Sequence, residues 1–94
     1  MLGSGQADGN EVVHMLRSRT TVLGRSGDAG LRLTDTGISR MHAEVRLGDD
    51  GAELVDLGST NGTLLNGRTV QRAPLHDGDR VRVGSTDLVF RLDG

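Results

Sequence analysis

From residue 11 onward the chain is a series of short apolar runs, each cut off within a few residues by Gly, Asp or Asn, and none sustains a helical period. That punctuation limits the fold more than any other feature. A run of about four to eight residues that alternates apolar with polar side chains presents one buried and one wet face as a β-strand. The clearest is residues 42–47, where Ala43, Val45 and Leu47 alternate with Glu44 and Arg46. Gly48, Asp49, Asp50 and Gly51 then predict a hairpin that returns the chain along residues 52–57, since Asp-Gly supplies the positive φ that tight hairpins need. Asn66 and Gly67 predict a second hairpin, between residues 63–65 and 68–70, and Asp77, Gly78 and Asp79 a further turn. Residues 80–83 alternate again, and Leu88, Phe90 and Leu92 share one face of a last strand. Residues 11–16, 20–23 and 31–33 read as further strands, and the sum is all-β: a sandwich of two antiparallel sheets.

A chain of 94 residues makes one domain with one core. Phe90 is its single aromatic, so that core must be built from Leu, Val, Ile and Ala. Residues 3–10 are small, polar and Gly-rich, and residues 1–10 read as a flexible tail or interdomain linker outside a domain at 11–94. Cysteine is absent, which excludes disulfide and thiolate chemistry; the His, Asp and Glu residues show no metal-ligand spacing, so neither a metal nor a cofactor is expected. No apolar run approaches the roughly 20 residues of a membrane span, and the first residues lack the basic and apolar parts of a signal peptide, so the expectation is a soluble cytoplasmic module. The net charge is -2, and a single aromatic offers no stacking platform, which argues against nucleic acid as partner. All eleven basic residues are arginine; a GC-rich genome explains that first, although a guanidinium also suits a local two-point grip on phosphate.

Three loops hold more hydrogen-bond donors than a structural turn needs: Gly24 and Arg25; Ser39, Arg40 and His42; and Gly58, Ser59, Thr60, Asn61 and Gly62. The up-and-down course of a sandwich can gather such strand ends at one pole. A Gly-Arg after a strand, then Ser-x-x-His, then Gly-Ser-Thr-Asn-Gly-Thr and a further Asn-Gly, in that order, resembles the signature of the forkhead-associated (FHA) family over about residues 20–92. The Arg- and Gly-rich composition and the stretch from Asp35 to Ser39 resemble actinobacterial members.

The resemblance implies a SMAD/FHA-like sandwich that binds phosphothreonine peptides and catalyses nothing. It implies that Arg25 grips the phosphate, that Ser39 and Thr60 donate hydroxyls to it, that Asn61 bonds the peptide backbone, and that Arg40 adds a peptide contact. Gly24, His42, Gly58, Ser59 and Gly62 support the loops. The chemistry is consistent: phosphothreonine carries about -1.5 to -2 charges and three acceptor oxygens, so its desolvation must be met by cations and several donors. The partner implied is a Thr-phosphorylated protein, a Ser/Thr kinase or its substrate, with further selectivity from residues 26–30, residues 34–38 and the neighbourhood of Asn66.

In this family a strand normally precedes the counterpart of residues 11–16, and the Gly-rich segment stands in its place, so the expectation is a sandwich without its first strand. A monomer is expected, with strand exchange between copies as the consequence of an exposed edge. Two other readings compete. A hydrolase built on Ser39 or Ser59 with His14, His42 or His76 lacks a Gly-x-Ser-x-Gly elbow and a water-excluding cleft. A phosphate-independent interaction or scaffold domain would meet its partner through a sheet edge instead of the loops.

Overall fold

The computed structural model describes the backbone of residues 2–5 and 11–14 and the whole of residues 16 and 18–91. Eleven strands are present among the described residues: β1 (Leu2–Gly5), β2 (Glu11–His14), β3 (Thr20–Gly24), β4 (Leu31–Arg32), β5 (Ala43–Gly48), β6 (Gly51–Asp56), β7 (Thr63–Leu65), β8 (Arg68–Val70), β9 (Arg72–Leu75), β10 (Arg80–Val83) and β11 (Thr86–Phe90). They form two sheets, one in the order β2-β1-β11-β10-β7-β8 and the other β4-β3-β5-β6-β9.

Alternation sets the core between them. In β10, Val81 and Val83 point inward while Arg80 and Arg82 face solvent; in β5, Ala43 and Val45 point inward from the other sheet. Leu23, Ile38, Leu54, Leu75, Leu88 and Phe90 are among the other members of the buried cluster. Each such side chain withdrawn from water contributes roughly 1.5 to 3 kcal/mol before entropy is counted. The turns follow the residues that permit them: Asn66 (φ +51) and Gly67 (φ +86) take the left-handed angles of a two-residue hairpin between β7 and β8.

Three elements differ from the pattern read in sequence. The first strand is present: Leu2–Gly5 pairs with both β2 and β11, so part of the segment expected as a tail is in the sheet, while residues 6–10 lie outside the described residues. Its alternating Gly and Ser carry little strand propensity, and pairing on both sides supplies the backbone hydrogen bonds that the side chains do not specify. The register sets Leu2 opposite Phe90 and Ser4 opposite Leu88. The edge that a missing strand would have exposed along β11 is therefore covered.

The second difference is β9, which contains Pro74. It sits at the margin of its sheet, pairing with β6 alone, and that is where a residue without an N–H is tolerated. The third is β4, which pairs parallel to β3, so the sheets are not wholly antiparallel. The chain turns back after Gly24 through a loop closed by Ala29 N–H to Ser26 O (3.1 Å), and Leu33 N–H then donates to Gly24 O (2.8 Å). The last strand ends at Phe90, and Leu92, expected on the same face, lies outside the described residues.

Phe90 is the largest fully buried side chain, and its backbone also binds Asp79 O and Gly78 N–H. Phe90→Ala is expected to cost about 3 to 5 kcal/mol of unfolding free energy, read as a lowered urea midpoint with an unchanged slope.

Candidate functional site

The segment Gly37, Ile38, Ser39 and Arg40, between β4 and β5, is the floor on which one pole of the sandwich is assembled. Two glycines let it lie there. A Cβ on Gly24, at the end of β3, would stand 2.0 Å from Arg40 O, and a Cβ on Gly84, in the β10–β11 turn, 2.9 Å from both Gly37 C and Ile38 Cγ1. Any side chain at either glycine would displace the segment, from one side or the other.

Hydrogen bonds fasten the other loops to the same four residues. Arg25 donates its Nε–H to Ile38 O (2.5 Å) and its backbone N–H to Ser39 O (3.1 Å). Thr60 N–H donates to Ser39 Oγ (3.0 Å), and Asn61 Nδ2–H to Gly37 O (2.8 Å). Beneath them His42 is completely buried. Its Nδ1 accepts from Ser39 N–H (3.0 Å), which leaves the ring proton on Nε2 to be donated to Gly62 O (2.7 Å). One imidazole thus holds the loop before β5 against the loop before β7.

Carboxylates stiffen the same loops. Asp56 accepts from Gly58 N–H (3.0 Å), Ser59 N–H (3.1 Å), Ser59 Oγ–H (2.5 Å) and Thr63 Oγ1–H (2.7 Å), closing the loop that carries Thr60 and Asn61. Asp35 accepts from Gly37 N–H (2.8 Å) on its own loop and, through its other oxygen, from the backbone and hydroxyl of Ser85 and the hydroxyl of Thr86. The Ser85 hydroxyl above all, with the Gly37 and Ser85 amides, holds the Asp35 carboxyl down at about 2. The hydrogen bonds of Ser59 and Thr63 likewise lower that of Asp56, outweighing the burial that acts to raise it.

The sequence-predicted residues Gly24, Arg25, Ser39, Arg40, His42, Gly58, Ser59, Thr60, Asn61 and Gly62 are all in these linked loops. Gly58 (φ +77) and Gly62 (φ +84) adopt left-handed angles. Arg40 differs from the rest: its carbonyl accepts from Ser26 N–H (3.1 Å), but its exposed side chain makes no bond to the network. Asn66 is not at this pole. It lies at the far end of β7 from Thr63, where its side chain binds Asp79 Oδ1 (3.0 Å) and Arg80 N–H (2.9 Å). The β10–β11 turn takes part instead, and sequence reasoning passed over it. Asp-x-Gly is a local turn signal at both Asp35 and Asp56, but nothing in sequence joins Asp35 to Ser85.

The arrangement presents donors outward. Arg25 spends one of five guanidinium N–H groups on Ile38 O. Ser39 uses its oxygen to receive Thr60 N–H, which leaves its hydroxyl proton to give. Among the described residues no carboxylate lies within ion-pair distance of Arg25 or Arg40. An anion with several acceptor oxygens is what such a set can bind.

Comparison with known proteins agrees on one family. The family model described as FHA domain matches residues 21–84. The FHA domain-containing protein FhaA of Mycobacterium tuberculosis is 44% identical over 85 residues, which is 90% of this chain and 16% of FhaA. The curated relatives that head the comparison are longer proteins, of which the chain spans between 16% and 53%. A structure from a study of phosphothreonine-dependent FHA domain interactions superposes with a TM-score of 0.89 at 40% identity, covering 99% of this chain and 95% of that one. The FhaA FHA domain complexed with the intracellular domain of Rv3910 gives 0.83 at 41% identity, covering 94% of each.

Two outcomes test this description of the pole. His42→Ala, which strands the Ser39 N–H and Gly62 O, is expected to lower stability by about 2 to 5 kcal/mol in urea unfolding. The Asp35 carboxyl has a folded-state value below its unfolded one of about 3.9, so its contribution is complete above that value and is lost as pH falls toward about 2. Between pH 4 and 2, at about the limits these values set, the native protein should therefore lose stability more steeply than Asp35→Asn, measured by thermal melts at each pH.

Proposed function

The chain belongs to the FHA domain family, and from that premise we propose that it is a phosphothreonine-dependent peptide-binding module in Ser/Thr kinase signalling, acting by binding and not by catalysis. The observation that carries the reading is the convergence on one four-residue segment of Arg25, Ser39, Thr60 and Asn61, each with donors or acceptors to spare and no carboxylate against Arg25.

The roles follow from what each group has left. Arg25 offers its terminal N–H groups to two phosphate oxygens, and the Ser39 and Thr60 hydroxyls donate to phosphate. Asn61 keeps its Oδ1 and one N–H for the peptide backbone beside the phosphothreonine, while its other N–H holds Gly37 O. Arg40 is exposed on the same segment and adds charge to the rim. His42, Gly24, Gly58, Ser59 and Gly62 act beneath the surface by holding the donors in place. Since those donors are fixed before a ligand arrives, little ordering entropy is lost on binding. Charge-assisted bonds of roughly 1.5 to 3 kcal/mol each then bring three or four of them to micromolar affinity, about 8 kcal/mol.

The partner is a Thr-phosphorylated protein, a Ser/Thr kinase or its substrate, and we place the encounter in the cytoplasm because phosphorylation draws on ATP there. This follows similar structures, one from a study of phosphothreonine-dependent FHA domain interactions and one complexed with an intracellular domain. Among the described residues no helix is long and apolar enough to cross a membrane.

Fluorescence polarisation with a phosphothreonine peptide library, its phosphoserine counterpart and the unphosphorylated control tests the proposal. Binding confined to phosphothreonine is the expected result, and equal binding of all three would overturn it. Arg25→Ala should weaken phosphothreonine peptide binding by about 2 to 5 kcal/mol while lowering stability in urea unfolding by only about 1 kcal/mol, the loss of its one hydrogen bond to Ile38 O.

A further inference from the structure

The outward faces of the two sheets treat charge differently. On the β5–β6–β9 face the charges neutralise one another: Arg46 meets Glu44 (2.9 Å) and Glu53 (3.9 Å), and Arg72 meets Glu53 (2.7 Å). On the β7–β10–β11 face they do not. Arg80 and Arg82 both project from β10 toward solvent. Arg82 shares only a loose pairing with exposed Asp87 (3.7 Å) and a 3.3 Å bond to Gly84 O. Among the described residues, no carboxylate lies within ion-pair distance of Arg80.

Between the two β10 arginines the face is hollowed. Leu64, opposite Arg82 in register, lines with Asn66, Gly67, Arg80, Arg82 and Asp87 a depression of about 320 Å³. Its Arg82 end approaches the phosphothreonine pole, since Arg82 donates to Gly84 O and Gly84 packs against Gly37, which Asn61 holds, while Asn66 and Gly67 mark its other end.

We propose that this face is a second contact for the phosphorylated protein itself, taking an acidic segment with an apolar side chain that flanks the phosphothreonine. The inference rests on the phosphothreonine reading of the pole. A carboxylate on the partner pairs with Arg82 as the segment leaves Asn61, its apolar side chain settles on Leu64, and a second carboxylate reaches Arg80. Arg80 and Arg82 are two residues apart on one strand face, about 7 Å, which is the spacing of alternate side chains in an extended segment. The charges that a -2 protein leaves unbalanced on one face thus select an acidic neighbourhood around the modified threonine.

The test uses a short phosphothreonine peptide, the same core extended by about six residues (roughly 20 Å when extended) carrying Glu and Leu on the N-terminal or the C-terminal side, and both extensions with Glu replaced by Gln. One of the two acidic extensions should bind about five- to tenfold more tightly than its Gln counterpart, and the difference should fade as salt is raised. In the double variant Arg80→Ala with Arg82→Ala the difference should vanish while the short peptide binds as before. Equal binding of acidic and neutral extensions to the native domain would overturn the proposal, as would an advantage that survives in the double variant. Weakened binding of the short peptide by the double variant would also overturn it, since Arg82 would then serve the Gly84 turn. Failure of the short phosphopeptide to outbind its unphosphorylated form removes the underlying reading, and is told apart because it needs no extension.

Discussion

The buried imidazole of His42 is the interaction on which the pole depends. A ring with two polar atoms, withdrawn from water, must find a partner for each, and here the two partners belong to different loops. The satisfaction of one side chain therefore fixes a distance between Ser39 and Gly62 that neither strand pairing nor core packing would set alone. Arg25, Thr60 and Asn61 then attach to the segment that His42 has positioned. His42 faces inward and organises the donors instead of joining them, which is why a serine three residues before a histidine does not make a nucleophile here.

A pole built of loops needs stiffening, because connections between strands have few backbone partners of their own. Two carboxylates supply it here, and a third acts likewise at the other end. Asp56 closes the loop before β7, Asp35 ties the loop before β5 to the β10–β11 turn, and at the opposite pole Asp79 accepts from Asn66 Nδ2–H and His76 N–H. The same device thus serves both ends of the sandwich, with recognition chemistry at one. These acidic residues are consumed in turns and, among the described residues, none lies within ion-pair distance of Arg25, so a chain of net charge -2 still presents an uncompensated arginine beside Ser39.

Reading in sequence went furthest where the signal is local. The strands at 63–65, 68–70 and 80–83 were legible to the residue, because side-chain alternation and turn chemistry act within a few positions. The donor loops were legible because a distinctive order of residue types survives without coordinates. β1 was not, since Gly3, Ser4 and Gly5 carry no strand signal and take their conformation from β2 and β11. β9 was not, since Pro74 speaks against a strand until its place at a sheet margin is known.

What the sequence by itself determined is the class of structure and the chemistry available: short alternating runs, turns at Asp-Gly and Asn-Gly, and arginine, serine, threonine and asparagine as donors to an anion. What only the tertiary structure decided is which of these meet. Asn66 and Asn61 both precede a glycine, yet opposite ends of β7 put one against Asp79 and the other against Gly37. Ser85, fifty positions from Asp35 in the chain, becomes part of the pole because Gly84 lets the last turn close on Gly37. The physical reason is that alternation and turn propensity act over a few residues, whereas a recognition site is made by long-range contacts whose partners are set by sheet order and register.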